Sequence, residues 1–261
     1  MVRLVRFLYR YVFRHPFYVL TYAWLFFQKR AVQNIHLYSD TEIKNQLRCG
    51  KSLIRFGDGE INLLLGLRNH YQKFSPLVQK MMREIISNYN SSSLYILAIP
   101  RFVTVSNIEL KKIGKFNVWL PLKAVFTVMF NKDVSYFDAH SFYYDDYFEN
   151  VIGPLLYSKH VVLITKKQTI AFQSSNKKIP WSKLSWIEVP ESEALQQFET
   201  IHKKIENHIS DIGSQEVVLL FALGPIGKYL CYLFAKTGRQ SIDIGKVAEV
   251  MYTDESIEYL V

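Results

Sequence analysis

Cysteine is almost absent: Cys49 and Cys231 are the only two in 261 residues, and no CxxC pair occurs. That excludes a disulfide framework and a thiolate zinc cluster, leaves at most one bridge open, and fits a reducing cytosol. Acidic residues are missing from the first 39 positions. Arg3, Arg6, Arg10, Arg14, Lys29 and Arg30 there supply six of the nine excess positive charges. A nucleic-acid binder spreads basic residues over its folded surface, so this concentration in one terminal segment argues against a nucleic-acid partner. No apolar run is long enough for a bilayer span, which needs about 20 residues. The uncharged stretch Phe17 to Phe27 ends at Gln28-Lys29-Arg30, and no small-residue cleavage site marks it as a signal peptide. No Ser-His-Asp order, zinc-type His spacing, EF-hand or P-loop is present, since Lys228 is followed by Tyr229.

What remains is an ordinary globular composition, 49% hydrophobic and 21% charged, in a chain long enough for a large core. Seventeen Tyr and 18 Phe are read first as core and strand residues. Residues 1–39 form a basic, aromatic segment. Arg3, Arg6, Arg10 and Arg14 recur at helical spacing, and Pro16 breaks or restarts that helix. Two readings fit it: a segment lying on the cytoplasmic face of a membrane, or a helical hairpin packed on the domain.

Residues 40–261 read as one domain of alternating strands and helices. Strands are expected at Ser52 to Phe56, Leu94 to Ile99, His160 to Thr165, Ser185 to Val189, Glu216 to Leu223 and Gln240 to Ile244. Helices are expected at Thr41 to Arg48, Glu60 to Leu67, Pro76 to Asn88, Pro121 to Phe130, Asp145 to Leu156, Glu191 to Ile209 and Pro225 to Lys236. The alternation predicts an α/β, Rossmann-like sandwich with a mostly parallel sheet flanked by helices, with ligands at the carboxyl ends of its strands.

Ile54-Arg55-Phe56-Gly57-Asp58-Gly59-Glu60 carries the most chemistry. In extended backbone, residues two apart point the same way, so Asp58 and Glu60 are expected to converge on one cation. Two hard oxygen ligands with positions left for phosphate suit Mg²⁺ or Mn²⁺. Gly57 and Gly59 permit close approach of a ligand, and Arg55 offers a forked donor to phosphates. Spacing alone is weak, because 23 acids in 261 residues yield about two acid-x-acid pairs by chance. Asp40/Glu42 and Glu191/Glu193 share the spacing and sit at apparent helix starts, where acids are expected anyway.

The second informative stretch is Val217 to Lys228, a strand, a tight turn and a helix start. Pro225 suits the first helical position, and the free N–H groups nearby form an anion site. Ala222-x-Gly224-x-x-Gly227, with Asp243 at the next strand end, is a degraded dinucleotide fingerprint. An NAD(P)-dependent oxidoreductase is therefore the rival reading, although few residues remain to complete such a domain.

Together these segments resemble the glycosyltransferase family of the GT-D fold, long catalogued as a bacterial domain of unknown function. The matching residues are Ile54 to Glu60, Phe221-Ala222-Leu223-Gly224-Pro225 and Ser241-Ile242-Asp243-Ile244-Gly245. The resemblance implies a nucleoside-diphosphate sugar donor, typically a UDP-hexose, a divalent cation (Mn²⁺ or Mg²⁺), and a surface glycan or glycoprotein acceptor. It implies that Asp58 and Glu60 serve the metal, the donor phosphates and catalysis, and that Gly224, Pro225, Asp243 and Gly245 border the donor; Arg55, Phe56, Gly57 and Gly59 are donor contacts on the chemistry above. After Gly245 the family often has His and an acidic, aromatic stretch; this chain has Lys246-Val247-Ala248-Glu249-Val250-Met251. A non-catalytic subunit that binds a nucleotide sugar for glycan assembly is the alternative from a non-enzyme class.

Weaker candidates are Asp138 and His140 as a base for an acceptor hydroxyl, and Tyr143-Tyr144-Asp145-Asp146-Tyr147 as a sugar-stacking surface. Lys166-Lys167 and Lys177-Lys178 read as solvated basic faces.

Overall fold

The computed structural model describes residues 16–31, 35–67, 72–143, 147–167, 169, 183–213, 216–245 and 247. Strands β1 (Ser52–Arg55), β2 (Tyr95–Ile99), β3 (Phe137–Asp138), β4 (His160–Lys166), β5 (Lys183–Val189), β6 (Val217–Phe221) and β7 (Ser241–Asp243) form one sheet. Its order is β3-β2-β1-β7-β6-β4-β5, and every neighbouring pair is parallel. The helices are α1 (Pro16–Phe27), α2 (Asp40–Arg48), α3 (Asp58–Leu64), α4 (Pro76–Ser87), α5 (Asn107–Lys112), α6 (Phe116–Met129), α7 (Phe198–Ile212) and α8 (Gly224–Lys236).

Both faces of the sheet are covered, which is why β2, β4 and β6 read as near-continuous apolar runs. Successive residues of β1 point to opposite faces. Ile54 joins a large core with α3, α4, α6, α7 and α8, whereas Leu53 joins a smaller one with α2 and residues 148–156. Each fully buried Leu or Ile in these layers contributes about 1.5–3 kcal/mol. The α/β class and the parallel sheet agree with the sequence. Cys49 and Cys231 are both free, which closes the question of a bridge.

Five elements differ from expectation, one of them α5, which the pattern did not mark. α6 begins at Phe116 and carries Pro121 inside it, not at its start. Phe148–Ile152 is a π-helical turn followed by the 3₁₀ turn Gly153–Leu156, because Pro154 lacks the N–H that an α-helix would use there. The long helix after β5 begins at Phe198; before it, Glu193 takes φ +54° and accepts from Gln72 Nε2 (2.9 Å) and the Lys73 N–H (3.0 Å). β3, two residues long, was too short to read from pattern.

α1 packs on α6 through buried Tyr18 and Leu25. Its last carbonyls are held by Asn107, whose Nδ2 donates to Leu25 O and Gln28 O. Asn107 Oδ1 in turn accepts from Lys123 Nζ (3.1 Å), a lysine that is fully buried on α6. Burial pulls the Lys123 ammonium down to about 8. Between that value and the ordinary lysine range the unfolded chain holds more protons than the folded one, so stability rises with pH there. Between pH 7 and pH 9.5 the native chain should gain about 2 kcal/mol relative to Lys123→Met. Urea unfolding of both at the two pH values checks this, and a constant difference would refute it.

Candidate functional site

Parallel strands bring their carboxyl ends to one edge, and the residues that follow them meet there. Arg55 ends β1 and Asp243 ends the neighbouring β7; Leu53 and Ile242 are partners in register. The Arg55 N–H donates to Asp243 Oδ2 (3.2 Å), and Arg55 Nε lies 3.9 Å from the same oxygen. The Arg55 guanidinium also stacks 4.8 Å over the Phe142 ring. Lys228 reaches in from the second turn of α8, with Nζ 3.1 Å from Asp243 Oδ2 and 3.5 Å from Glu60 Oε1. Arg55, Lys228, Glu60 and Asp243 are all buried and form a quartet of two cations and two anions. Burial alone would lower the Lys228 ammonium, but Asp243 and Glu60 outweigh it and hold it above the ordinary lysine value.

The acidic pair does not have the extended geometry that its spacing suggested. Gly57 is the extended N-cap of α3 (φ −99°), and Asp58 and Glu60 both lie in the first helical turn. Two residues along a helix is about 200° around it, so the carboxylates diverge. Glu60 folds back, and its Oε2 accepts from the Gly57 N–H (2.9 Å), as a glutamate at the third helical position does. Asp58 stays exposed, with Oδ1 accepting from the Gly59 N–H (2.8 Å). Neither glycine adopts a left-handed conformation.

The metal test follows from this arrangement. Among the described residues no three His, Cys, Asp or Glu side chains gather as a cation cage. Mg²⁺ and Mn²⁺ nonetheless suit one or two carboxylates with phosphate and water completing the shell. Asp58 fits that description. Glu60 would join only by loosening Lys228 and its helix cap.

Asp243 is fully buried, and its other oxygen accepts from the Gly245 N–H (3.2 Å). It ties β1, β7 and α8 together and, being fully buried, is not presented to a ribose, which weakens the oxidoreductase reading. Phe56 is likewise fully buried, edge-on to Phe130 at 5.8 Å, and its side chain belongs to the core. Gly224 opens α8 at φ +60°, a conformation that favours glycine. At Gly227 a Cβ would stand 3.0 Å from Leu223 Cβ, so this second glycine serves close packing of helix on strand. Pro225 is buried in the first turn of α8.

A second cluster lies on the same rim, after β2 and β3. Asp138 Oδ1 accepts from the N–H groups of Arg101 (3.2 Å) and His140 (3.0 Å), and lies 3.9 Å from His140 Nδ1. The His140 ring meets Phe102 and Trp119, each at 5.5 Å between centroids. Burial foremost pulls its pKa below 6.5; Asp138 opposes this, Arg55 adds to it, Asp58 opposes it and Arg101 adds to it. The imidazole is therefore neutral at pH 7. These influences also place His140 within electrostatic reach of Asp58 and Arg55.

The other candidates have structural work. Asp40 and Glu42 open α2, with Glu42 completing a capping box on Ser39. Tyr147 donates to Asp40 Oδ1 (2.8 Å). Lys166 pairs with Glu191 at 3.4 Å. Residues 144–146, 177–178, 246 and 248–251 lie outside the described residues. A cavity of about 260 Å³ lined by Leu47, Gly50, Leu156 and Gln240 sits at the opposite, amino-terminal edge of the sheet. Lys228 was missed in the sequence. Its signal was there, since Lys228, Cys231 and Ala235 follow the apolar helical period and are buried together.

The sequence matches a family model described as "Glycosyltransferase GT-D fold" over residues 53–253, most of the chain. The chain belongs to this glycosyltransferase family. Among curated proteins, none matches this GT-D protein. Its fold matches a solved structure described as a new glycosyltransferase (DUF1792) from Streptococcus sanguinis, with TM-score 0.71 and 21% identity over 87% of this chain and 88% of that one. A second, described as the highly conserved domain of unknown function 1792 with a distinct glycosyltransferase fold, gives TM-score 0.69 and 19% identity over 88% and 83%. At such identities the likeness to these structures shows the fold.

Proposed function

We propose that this GT-D protein transfers a hexose from a nucleoside-diphosphate sugar, a UDP-sugar on the family pattern, to a surface glycan or glycoprotein acceptor, with Mn²⁺ or Mg²⁺ at Asp58. The observation that carries this reading is the exposed Asp58 carboxylate at the carboxyl edge of the sheet, set beside a buried quartet that fixes its surroundings. A cation held there would supply charge neutralisation for the departing diphosphate. The N-terminus of α8, at Gly224 and Pro225, presents its positive end to the same edge. His140 would take the acceptor hydroxyl proton, since it is neutral at pH 7 and its backbone N–H is tied to Asp138. Half-buried Phe102, backed by buried Trp119, offers apolar ring surface beside it for a sugar face.

The test is a panel of nucleotide sugars with purified protein. Donor hydrolysis should need added Mn²⁺ or Mg²⁺ and fall to background in EDTA. His140→Gln should lower transfer to an acceptor by about 100-fold while sparing donor hydrolysis. Turnover that persists in EDTA removes the cation from the reading. Tight donor binding with no turnover under any condition would instead favour a nucleotide-sugar-binding subunit.

A further inference from the structure

We propose that the outer face of α1, with the basic residues around its C-terminal end, docks on an anionic lipid bilayer. This goes beyond sugar transfer and does not depend on it. α1 has no polar face: its sequence is PFYVLTYAWLFF. Tyr18 and Leu25, seven residues apart, are buried against the domain. On the other side Phe17, Leu20, Trp24 and Phe27 follow one another at spacings of 3, 4 and 3, a single helical stripe, and are 73%, 67%, 56% and 80% exposed. Scattered exposed apolar residues are ordinary, but four large ones in line mark an interaction surface.

The surroundings say what covers it. Lys29 and Arg30 follow the helix and are exposed. Lys111 and Lys112 of α5 are exposed too, and Asn107 at the start of α5 bonds the carbonyls of Leu25 and Gln28. Lys111 Nζ lies 4.7 Å over the Phe116 ring, which meets Phe26 at 5.7 Å, so the two basic pairs frame one aromatic patch. Glu109 is the one acid on α5. Aromatic side chains bordered by Lys and Arg match the headgroup layer of an anionic membrane. At 12 residues α1 is about 18 Å long, so it would lie in the interface and not cross it. No helix among the described residues is long and apolar enough to cross a membrane. A symmetric dimer through this stripe would instead bring two cationic rims together. The placement also relates to the site: Trp119, one turn along α6 from Phe116, touches His140, so one helix joins the docking face to the rim where the sugar would be received.

Removing α1 would uncover the α6 core, so surface substitutions are the better probe. Full-length protein should float with vesicles of phosphatidylcholine and about 30% phosphatidylglycerol, weakly with phosphatidylcholine alone, and less as salt rises. Trp24→Glu with Phe27→Glu, and separately Lys111→Glu with Lys112→Glu, should each weaken vesicle binding at least about tenfold, with circular dichroism melts and soluble-donor hydrolysis unchanged. Flotation of both variants like the parent, or no flotation of the parent on anionic vesicles, overturns the proposal. So does a concentration-dependent dimer that Trp24→Glu disperses, which would assign the stripe to a second copy.

Discussion

Asp58→Asn should lower cation-dependent donor turnover by about a thousandfold while leaving the melting temperature within about 3 °C of the parent. The side chain is exposed at the first position of α3, so its loss removes only a favourable interaction with the helix end, worth about 0.3–1 kcal/mol. Glu60→Gln makes the informative contrast. Its carboxylate pairs with Lys228 and caps its own helix, so a loss of turnover there should come with a loss of stability. The pair thus separates a ligand from a supporting residue, which truncation of Glu60 alone could not do. Steady-state kinetics and thermal melts of the two variants decide it. If Asp58→Asn keeps more than a tenth of the parent's turnover, the cation is not held at this carboxylate.

Lys228→Met should cost about 3–5 kcal/mol of folding stability, because it strands Glu60 and Asp243 in the interior with Arg55 as their remaining cation. The asymmetry of buried ion pairs makes this larger than the net worth of the pairs. Taking two charges out of water is itself expensive, and only removal of one partner exposes the full penalty. Lys228→Met combined with Asp243→Asn should therefore be more stable than the sum of the single effects, by an interaction energy of about 1–3 kcal/mol. Urea unfolding of the parent, both single variants and the double variant measures that coupling. Additive losses would mean that the lysine and the aspartate act separately.

The fold was legible where burial on both faces leaves its mark. β2, β4 and β6 are largely runs of apolar residues, and the glycines or polar residues that bound them fix their ends. β3 was not legible, since two residues carry no period, and α6 was entered too late because proline is more often a first-turn residue than an interior one. In the site, the residues after β1 and β6, which the sequence singled out, lie at one edge of the sheet. Their division of labour was not. A glycine on each side of Asp58 suggested a loop, yet Gly57 serves as an N-cap and the helix begins at once. That single turn separates the two carboxylates, leaving one outside and turning the other toward a lysine 168 positions away in the chain. Such a partner is visible only after the sheet has assembled β1 beside β7 and laid α8 across them.

Because Arg55, Lys228, Glu60 and Asp243 sum to zero, the quartet exerts little net pull on an incoming polyanion. On the proposed function, a diphosphate arriving at this edge would feel little net attraction from the quartet and would need counter-charge from elsewhere. Arg101 at the rim or a cation from solution would then supply it, and this internal pairing is a physical reason to expect the cation dependence proposed above.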